Sequence, residues 1–300
     1  MKKKIAVLLS CIIAATALMA PATAMAASDT YVALGADLSG ESKTTVLNLL
    51  GVTESELNED TLIKVTNDEE HQYLDSYIDS SVIGTRALSS AKVTKKSSGG
   101  ITVETHNITY CTASMYENAL ATAGVENADI VVAAPTAISG TSALVGVLKA
   151  YASMTGNVIT PELADAAADE LTTTTEVAES TGDSDKTAEF IAAVKQIILS
   201  HNYDSDDDID AAIREVAAQM DITLSDDDVA TIRNLCKKLS SLNIDTSNLE
   251  EQASSVYEKL KSGDFDLSEY GITSEDTNGI LKVISDVWSQ FVSFLTNFFN

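Results

Sequence analysis

Apolar and polar positions change rhythm along this chain. From residue 31 to about 156, apolar runs of strand length alternate with segments whose apolar residues recur at helical spacing. Residues 31–38 read as a strand, 39–50 as a capped helix ending at Gly51, and 62–66 as a second strand. Asn67 is placed to cap the next helix with Glu70 as its reciprocal partner, a capping box. Residues 86–95 and 101–110 read as strands around Ser97-Ser98-Gly99-Gly100, a hairpin signal. A helix over 112–123 stops at Gly124, an apolar strand over 128–134 is ended by Pro135, and a helix follows over 139–154. Strands separated by helices predict a layered α/β domain over 27–158, with one mixed sheet, part parallel and part antiparallel.

Beyond Gly156 only the helical rhythm remains. Residues 161–171, 185–200, 206–220, 225–239 and 247–260 carry it, most with acidic or hydroxyl starts, and predict a helical domain over 159–262. The last segment, 263–300, predicts a C-terminal amphipathic helix. Trp288, Phe291, Phe294, Leu295 and Phe298 share one side of it with Ile280, Val283, Ile284 and Val287. Folding back on the body explains such a helix, since burying one of these side chains gains about 1.5–3 kcal/mol. The alternative is a docking surface for a partner, a second copy or a membrane interface. The polar face lacks the Lys and Arg that draw a helix to anionic lipid, so membrane contact is expected only through this segment and only weakly.

The first 26 residues follow neither rhythm. Lys2, Lys3 and Lys4 precede an apolar run from Ile5 to Ala20, then Pro21 and Ala24-Met25-Ala26, the pattern of a secretory signal peptide cleaved after Ala26. Leu8-Leu9-Ser10-Cys11 loosely imitates a lipidation site, but it would strand the apolar stretch 12–20 behind the modified Cys. The run is also short of the roughly 20 apolar residues that cross a bilayer. The expected location is therefore extracellular or in the cell envelope.

Charge narrows the partners. Among 300 residues, 45 are acidic and 19 are Lys or Arg, a net charge of −26, and loss of the leader removes three more lysines. Phosphate backbones would be repelled, which excludes nucleic acid. With 45% hydrophobic residues the chain is no disordered acidic tail. Cys111 and Cys236 remain after cleavage, as a distant disulfide pair or as two buried thiols.

Several stretches imitate chemical sites. Gly35-Ala36-Asp37-Leu38-Ser39-Gly40 follows a strand and opens a helix like a phosphate loop, yet Glu41 stands where that motif needs Lys. Asp204, Asp206, Asp208, Asp210 and Glu215 fall at calcium-loop spacing, yet Ile209 takes the place of the obligatory Gly, and the run also suits a helix start. His106 and Cys111 pair a base with a nucleophile, but five residues apart on one strand they face opposite sides. His71, His106 and His201 have no zinc-type spacing, so no metal and no cofactor is expected. The junction from Ala134 to Thr141, where an apolar strand gives way to a helix, is the strongest binding locus. The candidate ligand-binding residues are Thr66, Asn67, His106, Asn107, Ser139, Gly140 and Thr141, with no catalytic assignment.

A wider resemblance runs through these stretches. Gly35-Ala36-Asp37-Leu38, Val65-Thr66-Asn67-Asp68-Glu69-Glu70, Ile83-Gly84-Thr85 with Ser89-Ser90, and Gly100-Ile101-Thr102-Val103 with Asn107-Ile108-Thr109 carry it. So do Met115-Tyr116-Glu117-Asn118-Ala119-Leu120-Ala121-Thr122-Ala123-Gly124-Val125, Ala133-Ala134-Pro135 and Ser139-Gly140-Thr141. From about 31 to 260 the chain resembles the YpuA-like exported proteins of Gram-positive bacteria, a domain-of-unknown-function family. Glu41-Ser42-Lys43 departs from the Gln-Arg expected there, and the aromatic tail lies outside the shared region. The resemblance implies an exported, envelope-linked role and transfers no catalytic residue. The expected function is a secreted or envelope-associated binding module for an envelope component or protein partner. The alternative is an extracellular hydrolase of wall or peptide substrates, for which two acids must face one cleft about 5–10 Å apart.

Overall fold

Five apolar segments pair into one mixed sheet, and the most apolar of them lies inside it. The computed structural model describes residues 29–200, 203, 205–242 and 244. The strands are β1 (Thr30–Gly35), β2 (Leu62–Val65), β3 (Ser90–Lys95), β4 (Ile101–Ile108) and β5 (Ala128–Ile138). They are ordered β2-β1-β3-β5-β4. β1 runs parallel to β2 and β5 parallel to β4, while β3 is antiparallel to both β1 and β5. The expected α/β class with a mixed sheet is thus observed.

The hairpin expected at Ser97-Ser98-Gly99-Gly100 does not form. β5 lies between β3 and β4 and pairs with each. Its buried residues include Ala128, Ile130, Val132, Ala133 and Ala134, so a central position removes most apolar surface from water. Nor does Pro135 end β5, which runs on to Ile138. β5 advances from Ala133 to Ile138 while β4 advances only from His106 to Ile108, so the proline sits in an irregular stretch where its missing N–H leaves no ladder bond unmade.

Helices cover both faces. α1 (Gly40–Leu49) lies on one side, where Val46 and Leu47, with Leu50 just beyond the helix, pack with Val32, Leu34 and Ala133. A short 3-10 helix, Glu54–Glu56, follows α1. On the other side α2 (Asn67–Leu74), the one-turn α3 (Ser80–Ile83), α4 (Ala113–Thr122) and α5 (Thr141–Thr155) share a core with Ala91, Val93, Ile130 and Val132. The cap of α2 is one residue earlier than expected. Thr66 accepts from the Glu69 amide at 3.2 Å and Glu69 returns the bond to the Thr66 amide at 2.9 Å, leaving Asn67 as the first helical residue. Both sheet edges are blunted by side chains. The Glu117 carboxylate accepts the Val103 amide of β4 at 3.0 Å, and Lys149 donates to the Lys64 carbonyl of β2 at 2.9 Å.

The remaining described helices are α6 (Pro161–Thr181), α7 (Ser184–Ser200), α8 (Asp206–Gln219) and α9 (Asp226–Ser241). α6 continues ten residues past its expected end at Leu171. The hydroxyls of Thr172, Thr174 and Thr175 donate to carbonyls one turn back, which lets a threonine run stay helical. α6 joins the two halves, with Ala167 and Leu171 in the sheet-side core and Val177 packed with Phe190, Ile213 and Ile232. The expected leader over 1–26, the helix over 247–260 and the tail helix lie outside the described residues.

Candidate functional site

The start of α5 gathers polar groups into a place that is otherwise apolar. Gly140 precedes the helix with φ 100°, a left-handed conformation, and brings no capping side chain. Its carbonyl accepts the Tyr116 hydroxyl at 2.6 Å. The next residue, Thr141, donates its hydroxyl to the Glu70 carboxylate at 2.9 Å, and the Ser139 hydroxyl lies 3.2 Å from that of Thr141. Asn67 donates to the other Glu70 oxygen at 3.1 Å and to the Gly84 carbonyl at 3.3 Å. Beside them Ser142 and Ser89 are 2.7 Å apart, and the Ser89 hydroxyl accepts the Ala143 amide at 2.9 Å.

Glu70 is the centre of this network and is 1% exposed. Burial pushes its carboxyl above the ordinary range, and hydrogen bonds from Asn67, Thr141 and Ser142 only partly offset that. On the rim, His71 bonds Asp75 at 2.6 Å and the Gly84 carbonyl at 3.0 Å. The Asp75 bond is the main reason its imidazole is raised above the ordinary value.

Of the seven sequence-predicted residues, Asn67 and Thr141 bond the Glu70 carboxylate, Ser139 and Gly140 adjoin Thr141, and Thr66 bonds the neighbouring Glu69 instead. His106 and Asn107 do not join them. His106 stands opposite Ala133, on the α1 side of the sheet, and contacts Glu104 at 3.1 Å. Asn107 has φ 60° and ties the irregular stretch of β5 by donating to the Ala134 carbonyl at 2.9 Å. Trp288, Phe291, Phe294, Leu295 and Phe298, the expected partner or membrane surface, lie outside the described residues.

Glu70, read from the sequence as a helix-capping partner of Asn67, completes the network with Ser89, Ser142 and Tyr116, none of which was expected as a site residue. Ser89-Ser90 leading into an apolar strand and Tyr116 within an Ala-rich helix were the available signals. Cys111 and Cys236 are both free, buried thiols, in separate cores, rather than a disulfide. Burial pushes each up to about 12, far from the range of a reactive thiolate. The acidic run at 206–210 opens α8. Ser205 caps it by accepting from the Asp208 amide at 3.2 Å, Asp206 binds Lys237 at 2.7 Å and Asp210 binds Arg233 at 2.6 Å.

Comparison with known proteins places the chain. Residues 34–256 match the family described as "Protein of unknown function (DUF1002)". The chain is also 35% identical over 284 residues to the uncharacterized protein YpuA of Bacillus subtilis (strain 168), covering 92% of this chain and 94% of that protein. No solved structure matches it. The chain belongs to the DUF1002 family.

Proposed function

We propose that this member of the DUF1002 family is an exported, non-enzymatic binding module of the cell envelope. The observation that supports this best is how the polar side chains at the start of α5 are spent. Asn67, Glu70, Tyr116, Ser139 and Thr141 bond one another or backbone carbonyls, which fastens α2 and α4 to the start of α5. A catalytic site instead holds a nucleophile or base within reach of substrate. The Cys111 thiol is 1% exposed, and His106 stands on the α1 side of the sheet.

The hydrolase reading finds less support, because the acids nearest this locus are engaged. Glu69 holds Lys149 and Thr66, and Glu70 holds Asn67 and Thr141. The lysine-led apolar leader ending in Ala24-Met25-Ala26 supports export with cleavage after Ala26. The net charge of −26 favours an envelope component or protein over nucleic acid as partner. The aromatic side of the tail, from Trp288 to Phe298, supplies an attachment surface in this reading.

Expression of the full chain in a Gram-positive host, with N-terminal sequencing of the wall and medium fractions, tests the proposal. A mature species starting at Ala27, sedimenting with purified walls and leaving wall glycan and peptide intact, is the expected result. An unclipped chain held in the cytosol, or wall hydrolysis that disappears in Ser139→Ala, overturns it.

A further inference from the structure

A second locus, on the opposite face of the sheet, leaves a cation facing open space. Lys92 lies on β3, the middle strand of five, and its cross-strand neighbours are Val32 and Val131. Those neighbours point to the same face, the one covered by α1. A lysine among valines on a central strand is unfavourable unless its charge is answered. Lys43, Lys96, Lys149, Lys195 and Lys238 each hold a carboxylate, whereas Lys92 makes no salt bridge among the described residues and feels only the more distant charge of Glu56.

Space in front of Lys92 is shaped by the connection from α1 to β2. Gly51, with φ 62°, turns the chain there, and a β-carbon at this position would lie 3.5 Å from the Lys92 ammonium. Fixed hydrogen bonds hold the rest of the wall: Val52 to the Leu47 carbonyl at 2.9 Å, Thr61 to the Asn58 carbonyl at 3.0 Å, and Asp60 to the Asn58 side chain at 3.0 Å. The result is a cavity of about 370 Å³, within the size range of small-molecule sites. Val52, Leu57 and Leu62 give it an apolar side, and Thr30, Asn58 and Lys92 a polar one. Glu56 also lines it, but its carboxylate is taken by the amide and hydroxyl of Thr53 at 2.8 and 2.7 Å.

We propose that this cavity binds a small carboxylate carrying an apolar substituent, with Lys92 as its anchor. The carboxylate settles on the Lys92 ammonium in a charge-assisted hydrogen bond, and the apolar part meets Val52, Leu57 and Leu62. Glu56, ionised in the same cavity, repels any anion, so the ligand carries a single negative charge set directly on Lys92. The inference rests on the binding-module reading and gives it a site. Export and wall association are measured separately, so either idea can fail alone.

The test titrates N-acetyl-leucine, and separately N-acetyl-leucinamide, into isotope-labelled full-length protein while amide resonances are followed by NMR. A saturable shift of Gly51, Asn58 and Thr61 with the acid, below about 10 mM, is expected. The amide analogue, and the acid with Lys92→Met, should each bind about tenfold or more weakly, while Lys92→Arg retains binding. Equal binding of acid and amide by the natural protein, or no saturable shift with the acid, overturns the proposal. The acid and amide comparison needs no substitution, so it decides the matter even if Lys92→Met folds poorly.

Discussion

Of the three buried glutamates among the described residues, Glu70, Glu117 and Glu170, the first and the last are answered differently. Glu170, on α6, is fully buried and faces the ammonium of Lys195 on α7 at 2.7 Å. Lys195 also donates to the Asn118 carbonyl at 3.1 Å and the Thr122 hydroxyl at 3.0 Å on α4, and Thr122 donates to Glu170 in turn. Glu70, on α2, meets no ammonium; its donors are the amide of Asn67 and the hydroxyls of Thr141 and Ser142. The first arrangement holds a charge pair where α4, α6 and α7 pack. The second holds a lone carboxyl where α2 meets α5, and uncharged donors stabilise an anion less than a cation does.

The contrast is sharpest when one partner is removed. Lys195→Met leaves Glu170 as an uncompensated buried charge and should cost about 3–5 kcal/mol in chemical denaturation. Adding Glu170→Leu should recover most of that loss, because an apolar pair of similar volume carries no desolvation penalty. A loss below about 1 kcal/mol for the single substitution would show that the pair does not hold the seam.

At the Glu70 end the next largest effect comes from backbone rather than charge. Gly140→Ala places a β-carbon 2.5 Å from the Tyr116 hydroxyl and 2.7 Å from an Ile108 methyl, at a φ of 100°. Strain and overpacking together should cost about 2–4 kcal/mol. An unchanged melting temperature would mean that the α5 start is free to shift, and the network around Glu70 with it.

These two regions were legible to different degrees. Thr66, Asn67, Ser139, Gly140 and Thr141 could be found because local signals, a cap box and a strand-to-helix junction, mark them. The meeting of Glu70 with Thr141 could not, because they are 71 residues apart and only folding brings them together. The Glu170 and Lys195 pair had no local mark either, since each reads as one polar position in an amphipathic helix. The same limit explains the hairpin. Gly99 and Gly100 signal a turn, but the choice of β5 as the neighbour of both β3 and β4 depends on which strand has most apolar surface to bury.

Within the Glu70 network, Tyr116→Phe removes one hydroxyl donor from the Gly140 carbonyl. That carbonyl keeps the Ala143 amide at 3.1 Å, so the loss should be about 1 kcal/mol. A cost as large as that of Gly140→Ala would show that the two substitutions break the same thing.

The smallest expected effect is the response of Glu70 to pH. Glu70 has a folded pKa raised above the ordinary 4.5, so the fold binds its proton more tightly than the unfolded chain does. That contribution is fully present below 4.5 and is lost as pH rises through the folded pKa. Glu69 and Asp129, held low, act with the opposite sign as pH falls, and His71, raised from 6.5, acts with the same sign at higher pH. Tyr116 and Cys111, which face the same network, are raised by burial and stay protonated throughout this range. The informative quantity is therefore the stability lost on Glu70→Gln in a His71→Gln background, because the Glu70 charge helps to raise His71 and would otherwise mix the two titrations. That difference should decline as pH rises above about 4.5. A flat difference would mean that Asn67, Thr141 and Ser142 offset the burial of Glu70 completely.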